Sequence, residues 1–472
     1  DLMNESSSND KGDNVIVIAA VFLLGTFITF LNSTFMNVAL PDIMKELNVS
    51  VSTVQWLSTG YMLALGIVIP FTAFLINRFK TKTLFLTSMS LFTIGTIIGA
   101  FATNFEVLLT ARFIQGLAGG VTVPLMQTVF MLIFPIKSRG FAMGIVGIVL
   151  AFAPAVGPTL SGWIINSYPW RYLFYIPIPF AIIDIILAFF LLKNVTGGKN
   201  VSMDFFSFIA STIGFGALLY GFSNAGNYDW TDKLVYLPLL IGALFLILFI
   251  WRQLTMKDPI LNLTVFKSKT FIFSTIIVMI TYAGLISSEL ILPMYLENIK
   301  GYSAFDTGLA LMPGAIVMGV MNPITGKIFD KYGARYLALI GLTILTLGTF
   351  GLSFLTPDTT KTYVIVVYAL RMLGIAMLTM PLTTSGLNSL HRDLYAHGNA
   401  ANNTLRQVAG SIGTSIIITI MSKASLTSSS TNPLESQVYG MNIAFASIGA
   451  LTFIGLIIAF FVVKKKEVIV TD

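Results

Sequence analysis

ARFIQGLAGGVTVPLMQ (111–127) and ALRMLGIAMLTMPLTT (369–384) each bury one arginine, Arg112 and Arg371, in an otherwise apolar stretch. A guanidinium in hydrocarbon is costly unless it is paired or faces water, so an arginine inside a membrane helix marks function by default. The same residue in matching surroundings twice points to a duplicated unit with a polar path between its halves.

The composition agrees. The chain has 472 residues, 55% hydrophobic and 10% charged, where soluble domains carry about 25% charged residues. It is therefore expected to be an all-α integral membrane protein. Cysteine is absent, which excludes disulfides, thiol nucleophiles and cysteine-based metal sites. Apolar runs of about 18 residues or more occur fourteen times, from 15–40 to 441–463. The predicted organisation is a disordered tail at 1–14, a six-helix bundle at 15–192, and a two-helix insertion with linkers at 193–270. A second six-helix bundle follows at 271–464, then a cytoplasmic tail at 465–472.

Orientation follows from lysine and arginine. With the N-terminus inside, nineteen basic residues fall in cytoplasmic segments and six in outer ones. Both termini are then cytoplasmic, and Trp56, Trp163, Trp170 and Trp230 form an outer aromatic belt. The net charge of +7 is thus a matter of topology, and nucleic acid is not an expected partner.

The repeat is visible in the loops as well. NRFKTKTLFL starts at Asn77 and GKIFDKYGARYLAL at Gly326. Arg78 and Lys331 are 253 residues apart, and Arg112 and Arg371 are 259 apart. A near-constant offset between two kinds of motif marks a tandem duplication.

On these features the chain resembles the major facilitator superfamily, and within it the fourteen-helix drug:proton antiporter branch (EmrB/QacA type, lincomycin-resistance-like). Gly326, Asp330, Lys331, Gly333 and Arg335 match the family's cytoplasmic gating loop. Arg78 belongs to a degraded first copy, in which Ala73 and Asn77 stand where Gly and Asp are usual. Gly144, Ala153, Gly157, Pro158, Ser161 and Gly162 keep the spacing of the antiporter signature in the fifth helix, and WRYLF from Trp170 follows it. In LNSTFMNVALP, Asn32 occupies the place of the family's first-helix acid, ahead of Asn37.

The resemblance implies a proton-coupled multidrug exporter of amphipathic or cationic compounds, a functional monomer that needs no cofactor or metal and is no enzyme. Its partners would be drugs, protons and the bilayer of a bacterial cell membrane. Such a transporter needs a group that titrates inside the protein. Asn32 cannot titrate, and of the 21 acids only Asp184 and Glu289 lie well inside apolar runs. Counted at about 1.5 Å per residue, Glu289 lies roughly 27 Å and Asn32 roughly 25 Å from the cytoplasmic starts of their helices. Each half is therefore expected to set an arginine against a polar partner, Arg112 with Asn32 and Arg371 with Glu289. The bland alternatives are a permanently ionised Glu289 and an Asp184 that is hydrogen-bonded or faces lipid.

Tyr61, Met62, Gln115, Met126, Gln127 and Asn388, with Asn37, are the expected substrate contacts. Arg406, Gln407, Asn399, Asn402 and Asn403 are expected to position a gate. A lipid, sugar or amino-acid exporter on the same scaffold stays open, as does the different class of channel or membrane sensor.

Overall fold

The computed structural model describes residues 14–471, so all but the last residue of the expected disordered tail lies outside the described residues. Among those described, fourteen helical spans are long and apolar enough to cross a bilayer. They are α1 Asn14–Leu47, α2 Val51–Arg78, α3 Thr81–Ala100, α4 Phe105–Ile133, α5 Ile136–Ser167, α6 Tyr172–Leu191 and α7 Phe205–Ala225. The rest are α8 Lys233–Thr255, α9 Lys269–Ile299, α10 Ala304–Tyr332, α11 Arg335–Phe354, α12 Lys361–Asn388, α13 Arg392–Thr427 and α14 Pro433–Val462.

Local chemistry sets the starts. Asn104, Asp232, Ser268, Ser303 and Asn432 each accept a backbone N–H of the first turn that follows, satisfying donors that a helix start leaves free. Asp204 caps α7 and also accepts Arg252 of α8 at 2.9 Å. That guanidinium holds the Asp204 carboxyl below the usual carboxylate range. The ion pair closes the α7–α8 hairpin at the end carrying most loop lysines and arginines, the basic end.

Helices α1–α6 and α9–α14 form two bundles, and the α7–α8 hairpin packs outside them. α7 lies over the seam between α2 of the first bundle and α13 of the second. Trp56 stacks on Tyr220 at 5.6 Å, Trp230 donates to Thr419 at 2.7 Å, and Ser415 donates to the Phe222 carbonyl at 2.6 Å. The opposite seam is α5 against α10, two helices in contact along their length. There Gly144 meets the Asn322 backbone carbonyl so closely that a Cβ would collide with it, and Gly140 and Gly326 face each other in the same way. Small residues allow this approach of backbones.

Pro158 has a second consequence. Its missing N–H leaves the carbonyl of residue 154 without its helical donor, and Thr34 of α1 supplies one at 2.7 Å.

Candidate functional site

Arg112 and Arg371 are both fully buried, and their surroundings differ. In the first bundle Arg112 donates to the Leu57 carbonyl at 3.0 Å, to the Asn32 carbonyl at 3.1 Å and to Gln115 Oε1 at 3.1 Å. Its guanidinium lies 4.5 Å from the centre of the Tyr61 ring. Gln115 passes the network on to Thr96 at 2.9 Å, and Tyr61 donates to the Thr29 carbonyl at 2.9 Å. The expected Arg112–Asn32 partnership therefore exists through the Asn32 backbone. The Asn32 side chain turns instead to the Ile28 carbonyl at 2.9 Å. Its Oδ1 and the Arg112 Nη2 are buried without partners.

In the second bundle Arg371 donates to Thr349 Oγ1 at 2.9 Å and to Ser288 Oγ at 2.8 Å. The direct Arg371–Glu289 ion pair expected from depth alone is not formed. Tyr368, one turn before Arg371 on α12, bonds the acid instead and donates to Glu289 Oε1 at 2.5 Å. Glu289 itself is half-buried, whereas Tyr368 is buried. The result is an acid, a phenol and a guanidinium in series. The spacing i, i+3 puts Tyr368 and Arg371 on one face, a signal the sequence held and the pairing argument passed over.

Asp184 of α6 lies beside Gly25 of α1 and is fully buried. Neither carboxyl oxygen has a hydrogen-bond partner. It is thus neither the hydrogen-bonded acid nor the lipid-facing one of the bland reading, and nothing places it in the Glu289 cluster.

The basic end is where the bundles hold each other. Arg139, counted in the sequence only as a loop charge, is buried and bridges them. It donates to Asn388 Oδ1 at 2.8 Å and Tyr395 at 3.2 Å in the second bundle, and to the Met131 carbonyl at 2.7 Å in the first. Asp330 accepts the Gly140 and Phe141 N–H groups at the start of α5, at 2.7 and 3.0 Å, as an anion at a helix N-terminus should. Asn399 donates to Thr128 at 3.1 Å, Asn403 to Gln127 at 2.6 Å, and Asn77 meets His397 at 3.3 Å. Among the described residues, every direct hydrogen bond found between the two bundles lies toward this end.

The other gating-loop residues divide. Gly326 packs on Gly140, Gly333 takes a left-handed φ of 82°, and Arg335 donates to the Phe460 carbonyl at 3.1 Å. Lys331 sits over the Tyr332 ring at 5.3 Å. Arg78 is exposed, and no side-chain bond ties it to the second bundle. The C-terminal tail adds contacts that no motif announced: Glu467 accepts the Ala334 N–H at 2.8 Å and the Ser385 hydroxyl at 2.6 Å.

Of the expected substrate contacts, Tyr61, Gln115, Met126, Gln127 and Asn388 are all buried. Met126 is fully buried in an apolar cluster that spans both bundles, with Met380, Leu387 and Tyr395 of the second, so it offers no cavity surface in this conformer. Met62 and Asn37 are exposed, and Asn37 accepts the Ser58 hydroxyl at 2.5 Å. Arg406 is buried over the Tyr282 ring at 5.4 Å and donates to Asn403 at 3.0 Å.

Comparison with known proteins fits this architecture. The sequence profile described as Major Facilitator Superfamily matches residues 22–414. YcnB of Bacillus subtilis, an uncharacterized MFS-type transporter, is 48% identical over 462 residues, 98% of each chain. Lincomycin resistance protein LmrB of Bacillus subtilis is 42% identical over 462 residues, 96% of each chain. The crystal structure of the human organic anion transporter MFSD10 superposes with a TM-score of 0.67 at 12% identity, covering 94% of this chain and 99% of that one. That last likeness is one of fold alone.

Proposed function

Because the chain belongs to the Major Facilitator Superfamily and is a secondary transporter rather than an enzyme, we propose that it exports amphipathic or cationic drugs in exchange for protons. The lincomycin-resistance name of LmrB brings drug export into this reading. The observation that carries the proton half is the series Glu289–Tyr368–Arg371: one half-buried carboxyl, hydrogen-bonded, beside a buried guanidinium with no ion-pair partner.

The basic end is taken as cytoplasmic, which makes this conformer closed to the cytoplasm. Glu289 then exchanges its proton with the outside in this state. It releases the proton inward after the bundles rock about the α5–α10 contact and the cytoplasmic bonds open. A carboxylate that has lost its proton leaves the Arg371 charge balanced, and a protonated one leaves it free. A cationic substrate and a proton therefore compete for the same electrostatic position. The protein works as a monomer in the bilayer, without a cofactor.

The test is Glu289→Gln, purified and reconstituted, with ethidium and lincomycin as probes. The expected result is loss of substrate-induced proton release and of proton-driven transport, with probe binding retained. Proton release equal to wild type in this variant would remove Glu289 as the carrier.

A further inference from the structure

We propose that the slot between α2, α4 and α7 is a binding site for an anionic phospholipid of the leaflet at the basic end. The slot has a volume of about 770 Å³ and lies between these three helices of the first bundle and the insertion. Its walls are apolar, with Ile67, Phe113, Leu117 and Phe208 among them, and the 200–203 linker closes one side. Arg78 stands at its mouth.

Three observations select the occupant. The first is length. From Ile67 to Arg78 the slot follows α2 for roughly 16 Å, at about 1.5 Å per residue. One leaflet of a bilayer core of about 30 Å is roughly 15 Å deep, so an acyl chain laid along the wall brings its headgroup to Arg78.

The second is charge. Arg78 lines the slot and is exposed, the exposed Lys80 and Lys199 follow and precede the lining residues Phe79 and Asn200, and the Lys199 N–H is held to the Asn77 carbonyl at 3.1 Å beside Arg78. The one acid nearby in sequence, Asp204, is already bonded to Arg252 at 2.9 Å. Lys82 is turned onto the Phe189 ring at 4.7 Å. The remaining field is positive, and basic residues at headgroup depth between membrane helices favour anionic lipid.

The third is that the wall is preformed. The linker is hydrogen-bonded to the end of α2 through Gly198 to the Arg78 carbonyl at 3.3 Å, and Gly197 has a left-handed φ of 89° with a Cβ position that would strike the Phe79 carbonyl. The site therefore needs no rearrangement of the backbone to receive a chain.

This gives a task to Arg78, a gating-motif residue that the bundle interface leaves unused. The α7 wall belongs to the two-helix insertion, so the insertion completes the site.

The experiment is native mass spectrometry of the full-length protein released from nanodiscs of mixed phosphatidylglycerol and phosphatidylcholine. Wild type should retain one phosphatidylglycerol selectively. Arg78→Gln should lower its retention about fivefold, the equivalent of ~1 kcal/mol for one basic contact near the surface. Leu117→Trp, which fills the slot and keeps every charge, should abolish retention. Lys137→Gln, a basic residue on the same face outside the slot, should behave as wild type. Equal retention of the two lipids by wild type would overturn the proposal. So would unchanged phosphatidylglycerol retention in either Arg78→Gln or Leu117→Trp.

Discussion

Replacing Arg139 by methionine should open the basic end. The side chain is 5% exposed and joins the bundles by two hydrogen bonds, to Asn388 and Tyr395, and by ring contact with Tyr395, while the Met131 carbonyl holds it within its own bundle. Hydrogen bonds to a charged group contribute about 1.5–3 kcal/mol each. The two that cross between bundles, at 2.8 and 3.2 Å, would give roughly 3–6 kcal/mol if nothing replaced them. In the conformer open at this end, water hydrates the same groups, so the substitution destabilises the closed state selectively. Methionine keeps part of the contact with the Tyr395 ring. A net shift of about 3 kcal/mol, or roughly 150-fold in the closed-to-open ratio, is the expected magnitude.

The absence of native cysteine makes the assay direct. Cysteines introduced at Lys137 and Arg392, both exposed, carry spin labels on the two bundles at the basic end. Pulsed electron resonance then reads the distance distribution. Wild type should show mainly the short distance, and Arg139→Met mainly a longer one. Melting temperatures should stay close, because only one of the lost bonds, to the Met131 carbonyl, lies within a bundle. An unchanged distribution would show that Arg139 does not hold the gate and that Asp330 with the Asn399 and Asn403 pairs suffices.

Two further contrasts test the site. Arg371→Met should abolish substrate-induced proton release, since Glu289 and Tyr368 lose the neighbouring charge, whereas Arg112→Met touches no acid. It should instead lower the melting temperature, through the Leu57 and Asn32 carbonyls and Gln115 left unpartnered, at about 1–3 kcal/mol for each such buried group. Equal loss of proton release in both variants would refute this division. Asp184→Asn keeps the shape of a buried side chain that makes no hydrogen bond, so stability should change by less than about 1 kcal/mol. Transport should fall less than in Glu289→Gln, and full transport would exclude Asp184 from coupling.

The fold was largely legible because hydrocarbon imposes a length and loop charge imposes an orientation. The errors lie where burial and polarity part company. Span thirteen runs Arg392–Thr427, where apolar character alone delimits only 398–422. The missed start, 392–397 with Arg392, Asp393 and His397, reads as loop by hydropathy, yet Tyr395 and Ala396 within it are buried. The first span was expected to end at 40 and continues to Leu47, since Leu40–Leu47 is a helix that buries only Ile43. Within the site, depth along a helix located Glu289 and Arg371 at one level. It could not show that Tyr368 rather than Arg371 bonds Glu289, because depth says nothing of azimuth. The partners of Arg112 are mostly backbone carbonyls, which every residue owns and no motif displays.

The two arginine sites therefore descend from one plan and have been put to different use. Thr96 and Thr349 are 253 residues apart, the offset of Arg78 and Lys331, and both accept from the arginine network, through Gln115 in one half and directly in the other. The frame that seats a guanidinium is thus retained twice. What changed is the first helix of each half. An asparagine there leaves Arg112 a fixed charge bound to carbonyls, with Nη2 and Asn32 Oδ1 unpartnered. A glutamate at the corresponding depth leaves Arg371 beside a group that can gain and lose a proton. A fixed charge cannot report which side of the membrane it faces, and a titrating one can. On the proposed function, coupling would therefore fall to the second half, with the first half as the counterpart against which it moves.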